Sequence, residues 1–94
     1  MPQLVLMPRG KGKPLVFPLF KKITTIGRGE DNDVTLDLPG IEACHAHILY
    51  DGKHFVLSEA DRQCEVLVNG RRRKSHTLKD QDSLRVGPAQ LTFS

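Results

Sequence analysis

The sequence contains no tryptophan, only one tyrosine and no long apolar run. Its longest apolar runs, residues 4–7 and 15–20, have the length of β-strands, and proline follows the first and interrupts the second. A transmembrane helix needs about 18–20 apolar residues, and the opening residues Met-Pro-Gln lack the charged leader of a secretory signal. We therefore expect neither a membrane span nor a signal peptide.

Cysteine is also scarce, and Cys44 and Cys64 lie far apart in the sequence. Small secreted domains held by disulfides usually carry about four or more cysteines, so these two are predicted to be free thiols in a reducing cytoplasm. Cys44, His45 and His47 are close enough to suggest a metal site, but neighbouring residues of a strand point to opposite faces. A Cys-x-x-Cys pair is missing as well. We expect neither a metal nor a cofactor.

The short chain and its weak charge limit the possible functions further. Ninety-four residues are expected to form one domain with one core, because a chain of this size buries only about 60–68% of the surface that it exposes when unfolded. Fourteen Lys and Arg against eleven Asp and Glu leave a formal charge of +3. This charge favours acidic partners only weakly and does not by itself indicate nucleic acid.

Motifs of common enzyme classes are missing. Residues 10–13, Gly-Lys-Gly-Lys, lack the spacing of a phosphate-binding P-loop. No serine lies in a Gly-x-Ser-x-Gly nucleophile elbow. We expect a binding module rather than an enzyme.

Short apolar or alternating runs, separated by Gly, Pro, Asn and Asp, follow one another along the chain, and none has the spacing of an amphipathic helix. Asp51-Gly52 and Asn69-Gly70 are two-residue hairpin signals, and residues 8–12 predict a basic hairpin. Many short strands at this spacing are typical of an all-β sandwich or barrel. The runs predict eleven strands, at residues 3–7, 15–17, 22–26, 34–36, 46–50, 54–58, 65–68, 71–73, 76–78, 83–86 and 89–93.

Three polar segments, residues 26–34, 37–45 and 59–65, connect strands three to four, four to five and six to seven. In a sandwich, such connections meet at one end of the scaffold, where binding sites are commonly found. We therefore expect the functional residues to lie in these loops.

The same loops, in their order and spacing, resemble those of the forkhead-associated (FHA) domain, a phosphothreonine-peptide recognition module. The matching segments are Gly27-Arg28, Asp31-Asn32-Asp33-Val34, Leu38-Pro39-Gly40, His45-Ala46-His47-Ile48, Val68-Asn69-Gly70 and Asp82-Ser83-Leu84-Arg85-Val86-Gly87. The resemblance implies an all-β, eleven-stranded, antiparallel-type β-sandwich (FHA/SMAD-like). It also implies that residues 1–94 form a single FHA-type domain, expected to be the N-terminal module of a larger protein with an effector domain.

In the FHA family, phosphate is bound by an Arg after the Gly, by a Ser three residues before the His, and by Thr and Asn in the loop between strands six and seven. A phosphate carries about −1.5 to −2 charges and needs a guanidinium together with neutral donors. Arg28 matches this pattern, but the Ser position holds Glu42 and the Thr-Asn pair falls on Gln63 and Cys64. The resemblance thus predicts a degenerate phosphothreonine site, for which Arg62 is a substitute cation.

Two sets of site residues follow from the resemblance. The residues expected to contact a peptide or partner are Arg28, Gly29, Glu42, Ala43, Arg62, Gln63, Cys64 and Asn69. The residues expected to support that surface are Gly27 through a tight turn, Asn32 through loop hydrogen bonds, His45 through a ring that ties the loops together, and Gly70.

Several residues keep alternative interpretations. Arg28 contacts a ligand or forms an ion pair with Glu42, and Asn69 contacts the peptide or makes the hairpin. The run Arg71-Arg72-Arg73-Lys74 protects a sheet edge or forms a basic patch. For such a patch an acidic protein is favoured over nucleic acid or lipid, since no aromatic residue is interleaved with it.

The sequence therefore predicts a cytoplasmic adaptor or regulatory module in signalling that binds a protein partner without strict phosphothreonine dependence. Nucleic acid is not the expected partner. Two alternatives stay open: phosphothreonine-peptide recognition through Arg28 with substituted contacts, and a scaffold domain in a secretion assembly.

Overall fold

The computed structural model describes residues 2–7 and 12–94, and all of its regular secondary structure is β-strand. The strands are β1 (Gln3–Leu6), β2 (Leu15–Pro18), β3 (Ile23–Gly27), β4 (Val34–Thr35), β5 (Ala46–Tyr50), β6 (Phe55–Glu59), β7 (Val66–Val68), β8 (Arg71–Arg72), β9 (Ser75–Thr77), β10 (Ser83–Val86) and β11 (Ala89–Phe93). All eleven predicted strands are confirmed: three match at both ends, and the ends of the others are displaced by one residue at most. The predicted hairpin at residues 8–12 lies outside the described residues except for Gly12.

The strands form two sheets. One has six strands in the order β2-β1-β11-β10-β7-β8, and the other has five in the order β4-β3-β5-β6-β9. Neighbouring strands are antiparallel except for β3 and β4, which run parallel. The predicted β-sandwich is confirmed, with this one parallel pair as an addition. Within the described part of the chain, no helix has the length and apolar character needed to cross a bilayer.

The core lies between the two sheets because alternate side chains of each strand point inward. Ile26, Ile48 and Leu57 supply the five-stranded sheet's side, and Leu84 and Leu91 supply the other; each is at most 1% exposed. Burial of one such side chain contributes roughly 1.5–3 kcal/mol. These side chains anchor the strands from whose ends the polar loops extend.

Candidate functional site

Three loops meet at one end of the sandwich, and we call residues 28–33, 36–45 and 60–65 together the loop end. The first two loops are joined through their backbones: the Arg28 N–H donates to the Glu42 carbonyl at 2.9 Å, and the Gly29 N–H donates to the Ala43 carbonyl at 3.1 Å. Hydrogen bonds between backbones do not depend on side-chain identity. The loops can therefore keep this arrangement even where the side chains depart from the family pattern.

Asn32 adds a side-chain bridge between the same two loops. Its Nδ2 donates to the Gly29 carbonyl at 2.8 Å and to the Ala43 carbonyl at 2.6 Å. One amide group thereby uses both of its hydrogens. Asn32 is thus a loop-bracing residue in this structure.

Gly27 lies where the chain approaches the second loop most closely. A Cβ atom on Gly27 would come within 2.3 Å of the Ala43 carbonyl oxygen and 2.9 Å of Asn32 Nδ2. At Gly29 the nearest atom, again Ala43 O, would be 3.2 Å away. Gly27 is not among the glycines with positive φ. The predicted tight turn at Gly27 is therefore corrected: glycine is needed there for the contact between loops.

His45 ties the second loop to the third. Its side chain is buried, with Nδ1 accepting from the Glu42 N–H at 3.2 Å and Nε2 lying 2.8 Å from the Glu65 carbonyl oxygen. A carbonyl can only accept, so Nε2 carries the hydrogen and the ring is the neutral Nε2–H tautomer. The backbone of His45 also accepts from the Ala60 N–H at 3.0 Å. One residue thus joins the second and third loops through two of these three hydrogen bonds.

The two cysteines lie on either side of the contact between the second and third loops. Both thiols are free; Cys44 is exposed, whereas Cys64 is 3% exposed and its Sγ donates to the Cys44 carbonyl at 3.5 Å. Burial raises the pKa of the Cys64 thiol, with nearby Glu42 and Asp61 adding to the rise. The Cys64 side chain therefore faces the interior of the loop end, not the surface on which a peptide would lie.

Arg28 forms its ion pair with Asp37 and not with Glu42. Its Nε lies 3.3 Å from Asp37 Oδ1, and the side chains are 52% and 82% exposed. Arg28 contacts Glu42 through the hydrogen bond between their backbones. The alternative of an Arg28–Glu42 ion pair is thus wrong. Asp37 could not be predicted as the partner, because the pairing depends on how the segments that carry the two residues fold back on each other.

The remaining positions expected to face a partner are at the surface. Glu42, Ala43, Arg62 and Gln63 are all exposed, and Gly29 is partly exposed. The loop end therefore displays a carboxylate at position 42 and an amide at position 63. The carboxylate repels an anionic ligand, whereas the amide offers neutral N–H donors.

Asn69 and Gly70 form the turn between β7 and β8, with φ of 52° and 87°. The Asn69 side chain turns back onto the body of the domain: Nδ2 donates to Asp82 Oδ1 at 3.0 Å, and Oδ1 accepts from the Ser83 N–H at 3.0 Å. These contacts support the hairpin interpretation, because both ends of the amide are engaged within the domain.

Asp82 is buried beneath that turn, and the sequence pattern does not mark it as a site residue. Its Oδ2 accepts from the Lys79 N–H at 2.8 Å and lies 2.9 Å from His76 Nε2. Burial acts to raise the pKa of Asp82, but the hydrogen bonds from Asn69, Lys79 and His76 outweigh it and hold that pKa below its ordinary value. The spacing of residues in the sequence does not predict the contact between His76 and Asp82. The fold brings the two side chains together.

The basic run at residues 71–74 begins with β8, which lies at one edge of the six-stranded sheet and, among the described strands, pairs only with β7. Arg72 forms a two-pronged pair with Glu59: Nε and Nη2 each lie 3.3 Å from one carboxylate oxygen. The Glu59 side chain is 5% exposed. Hydrogen bonding to Glu59 raises the pKa of Arg72. One of the four cations is thus committed to the structure, and the run does lie at a sheet edge.

Comparison with known protein families gives a match over nearly the whole chain. Residues 6–94 match the family described as "Inner membrane component of T3SS, cytoplasmic domain". The transcriptional regulatory protein EmbR of Mycobacterium tuberculosis is 35% identical over 78 residues, which are 82% of this chain and 20% of EmbR. The chain therefore spans about a fifth of the length of the curated relatives that it matches.

Solved structures share the architecture. The FHA domain of FhaA, in complex with the intracellular domain of Rv3910, has a TM-score of 0.89 and 24% identity over the whole of both chains. Mycobacterium tuberculosis EmbR, in complex with a low affinity phosphopeptide, has a TM-score of 0.83 and 31% identity over 98% of this chain and 24% of that one. The FHA domain of yeast Dun1, in complex with a doubly phosphorylated peptide, has a TM-score of 0.80 and 26% identity, covering 99% and 72%. The sandwich described above is thus common to these domains.

Proposed function

We propose that this chain, which belongs to the family described as "Inner membrane component of T3SS, cytoplasmic domain" and has the FHA fold, is a protein-interaction module that does not strictly require phosphothreonine. It serves as an adaptor or regulatory domain in signalling. The solved relatives support a protein segment as its ligand, since EmbR and Dun1 were solved with phosphopeptides and FhaA with a protein domain. We propose no catalytic role for it.

The observation that carries this proposal is the chemistry of the loop end. Glu42 is exposed beside Arg28, and the Cys64 thiol is buried where the family pattern has a side-chain donor. A hydrogen bond to a charged group contributes about 1.5–3 kcal/mol, while a micromolar ligand has about 8 kcal/mol of binding free energy in total. Loss of two such bonds moves a phosphothreonine ligand from micromolar toward millimolar affinity. The backbone-held loops remain available for a partner recognised by other contacts.

A second candidate, phosphothreonine recognition through Arg28, is favoured by one specific contact. Arg28 is bonded to the highly exposed Asp37 through Nε alone. Exposed ion pairs of this kind contribute about 0–1 kcal/mol, so a phosphate would displace Asp37 at little cost. The guanidinium would then supply a charge-assisted pair without help from the family's neutral donors.

Titration of phosphothreonine peptides and their unphosphorylated twins separates the two candidates. We expect the wild-type domain to show less than about a tenfold preference for the phosphorylated form, and Arg28→Gln to change that preference little. Glu42→Ser, which restores a neutral donor and removes a negative charge, is expected to increase the preference. Micromolar binding of the wild type that needs both the phosphate and Arg28 would establish the second candidate instead.

We also propose a context for the module. It acts in the cytoplasm as the N-terminal domain of a larger protein whose effector domain it regulates; the family description and the small share of EmbR that the chain covers support this. A scaffold role in a secretion assembly is the alternative that the family description favours. Size-exclusion analysis of the longer protein with and without this domain tests the choice, because a scaffold domain changes the assembly state and a regulatory domain changes effector activity.

A further inference from the structure

A surface cavity of about 360 Å³ lies beside the loop end and is lined by Arg62, Arg72 and Lys74. We call it the basic cavity. Arg62 comes from the loop between β6 and β7, Arg72 from the edge strand β8, and Lys74 from the segment that leads to β9. Residues from three parts of the chain thus place three cationic groups around one concave surface.

Arg72 is held in place while two of its donors stay available. Its guanidinium has five N–H groups; Nε donates to Glu59 Oε2, and Nη2 donates to Glu59 Oε1 and to the Arg62 carbonyl. No hydrogen bond among the described residues involves Nη1. A guanidinium that is already fixed loses little further freedom when it binds an anion. Arg72 therefore presents a preorganised pair of donors.

The backbones around the cavity are anchored, whereas two of its cationic side chains have no acidic partner. The Lys74 carbonyl accepts from the Glu59 N–H at 3.0 Å, and the Arg62 carbonyl accepts from Arg72. None of the ion pairs in the part of the chain that the structure describes includes the side chain of Arg62 or Lys74. Glu59 pairs with Arg72, and the charge of a second carboxylate, Glu65, also acts on Arg72. Three cations less these two carboxylates leave one positive charge. The basic cavity thus has charge available for an anionic ligand.

We propose that the basic cavity binds anionic oxygens, carboxylate or phosphate, of an acidic segment in a protein partner, with Arg62 and Lys74 as the main contacts beside Arg72. The inference rests on the proposed function and names the chemistry of the partner. It places the anion site beside the loop end rather than at Arg28. Arg62, which lines the cavity, directly precedes Gln63 of the loop end. An extended segment of the partner that lies across the loop end can therefore place an acidic side chain in the basic cavity.

Nucleic acid fits this surface less well than an acidic protein segment. Sequence-independent nucleic-acid binding uses many phosphate contacts along a strand, commonly with aromatic side chains on which the bases stack. The cavity has three cations and no aromatic residue in its lining. A single cluster of this kind matches one or two acidic groups.

The test uses fluorescence anisotropy with four labelled probes: a decapeptide rich in Glu, the same peptide with Gln in place of Glu, a phosphothreonine peptide, and single-stranded DNA. The double variant Arg62→Gln/Lys74→Gln removes two charges from the cavity. Its matched control, Lys53→Gln/Arg85→Gln, removes two charges from exposed positions elsewhere. All four side chains are exposed, so both variants are expected to fold, which thermal unfolding verifies.

We expect the cavity variant to weaken binding of the Glu peptide by about tenfold or more and the control variant by less than about twofold. The Gln peptide should bind weakly to all forms. A phosphothreonine peptide that binds more tightly than the Glu peptide, and loses affinity in the cavity variant, identifies phosphate as the source of the anion. Equal losses in the two variants, no binding of either anionic peptide to the wild type, or DNA as the tightest cavity-dependent probe would overturn the proposal.

Failure of the proposed function gives a different result in the same assay. An Arg28→Gln arm would then abolish phosphothreonine-peptide binding while the cavity variant leaves it intact. If the proposed function holds and the cavity inference fails, neither Arg28→Gln nor the cavity variant changes the binding of the Glu peptide or of the phosphothreonine peptide.

Discussion

The imidazole of His45 donates from Nε2 to the backbone carbonyl of Glu65, 2.8 Å away, across two loops that are distant in the sequence. The other ring nitrogen accepts from the Glu42 N–H at 3.2 Å. Because the ring is buried, each contact satisfies a polar group that water does not readily reach. The arrangement of the loop end therefore depends on one side chain that is not itself at the binding surface.

Replacement of His45 by Ala removes both contacts and leaves a cavity. We expect the free energy of unfolding to fall by about 2–4 kcal/mol, since a buried polar group left without a partner costs about 1–3 kcal/mol. Urea denaturation measures this. His47→Ala, on the adjoining strand β5, is the control, and equal losses in the two variants would contradict a special role for the His45 ring.

The contact between the first two loops predicts a ranking of glycine substitutions. Gly27→Ala places a methyl group 2.3 Å from the Ala43 carbonyl oxygen, whereas Gly29→Ala places one at 3.2 Å. We expect Gly27→Ala to lower the free energy of unfolding by about 1–3 kcal/mol, because backbone must move, and Gly29→Ala to lower it by less than about 1 kcal/mol. Chemical denaturation of both variants checks the order, and a larger effect at Gly29 would refute it.

The buried carboxylate of Asp82 predicts a loss of stability in acid. Its hydrogen bonds hold its pKa below the ordinary value of 3.8. A carboxyl group whose pKa is lower in the folded state stabilises the protein above the unfolded-state pKa, and that contribution is lost as the pH falls through the folded-state pKa. We expect Asp82→Asn to be less stable at pH 7 by about 1–3 kcal/mol and to lose less stability than the wild type on acidification below pH about 4.

Thermal unfolding between pH 7 and pH 2 measures this effect. Asp80→Asn is the control, because it removes the same formal charge from an exposed neighbouring position. If both variants keep the wild-type slope in acid, Asp82 does not contribute to the pH dependence.

The pair of Arg72 with the buried Glu59 predicts that neighbouring arginines of β8 differ in importance. Arg72→Gln leaves the Glu59 carboxylate without its two-pronged partner, so the melting temperature is expected to fall by several degrees. Arg71→Gln, on the same exposed strand, is expected to have little effect. The double variant Arg72→Gln/Glu59→Gln should recover part of the loss, because it removes the unpaired charge. Scanning calorimetry of the four proteins tests this, and no recovery would argue against the ion pair as the cause.

The exposed contact between Arg28 and Asp37 predicts that Arg28 is dispensable for folding. We expect Arg28→Gln and Asp37→Asn each to change the free energy of unfolding by less than about 1 kcal/mol, as is usual for ion pairs at a surface. Urea denaturation measures both. If Arg28→Gln alone lowered the free energy of unfolding by more than about 2 kcal/mol, the guanidinium would be needed for stability and would not be available to a partner.

Local sequence signals account for most of the fold. The alternation of apolar residues placed all eleven strands, and Asn69-Gly70 specified a turn whose positive φ angles these two residue types tolerate. The parallel pairing of β3 with β4 was not anticipated, because strand direction depends on the path of the connecting loop. Of the loop residues, Asn32 and His45 were expected to support the site, and the structure supplies the atoms that each contacts.

The partners of the charged side chains could not be read from the sequence. Asp37 for Arg28, Glu59 for Arg72 and Asp82 for His76 are pairs between residues on different loops or strands. Each basic residue has several acidic residues along the chain as candidate partners. The sequence does not show which of them the fold brings within 4 Å.

Sequence alone predicts the β-sandwich, the loops that carry the candidate site, and the departure at Glu42 from the serine of the FHA pattern. These are properties of residue type and spacing, which act over short stretches of chain. The folded arrangement is needed to show that Arg28 contacts Asp37, that the Cys64 thiol faces inward, and that three cationic side chains, Arg62, Arg72 and Lys74, surround one cavity. These outcomes depend on distances between segments that are remote in sequence, and such distances exist only after the two sheets have packed on each other.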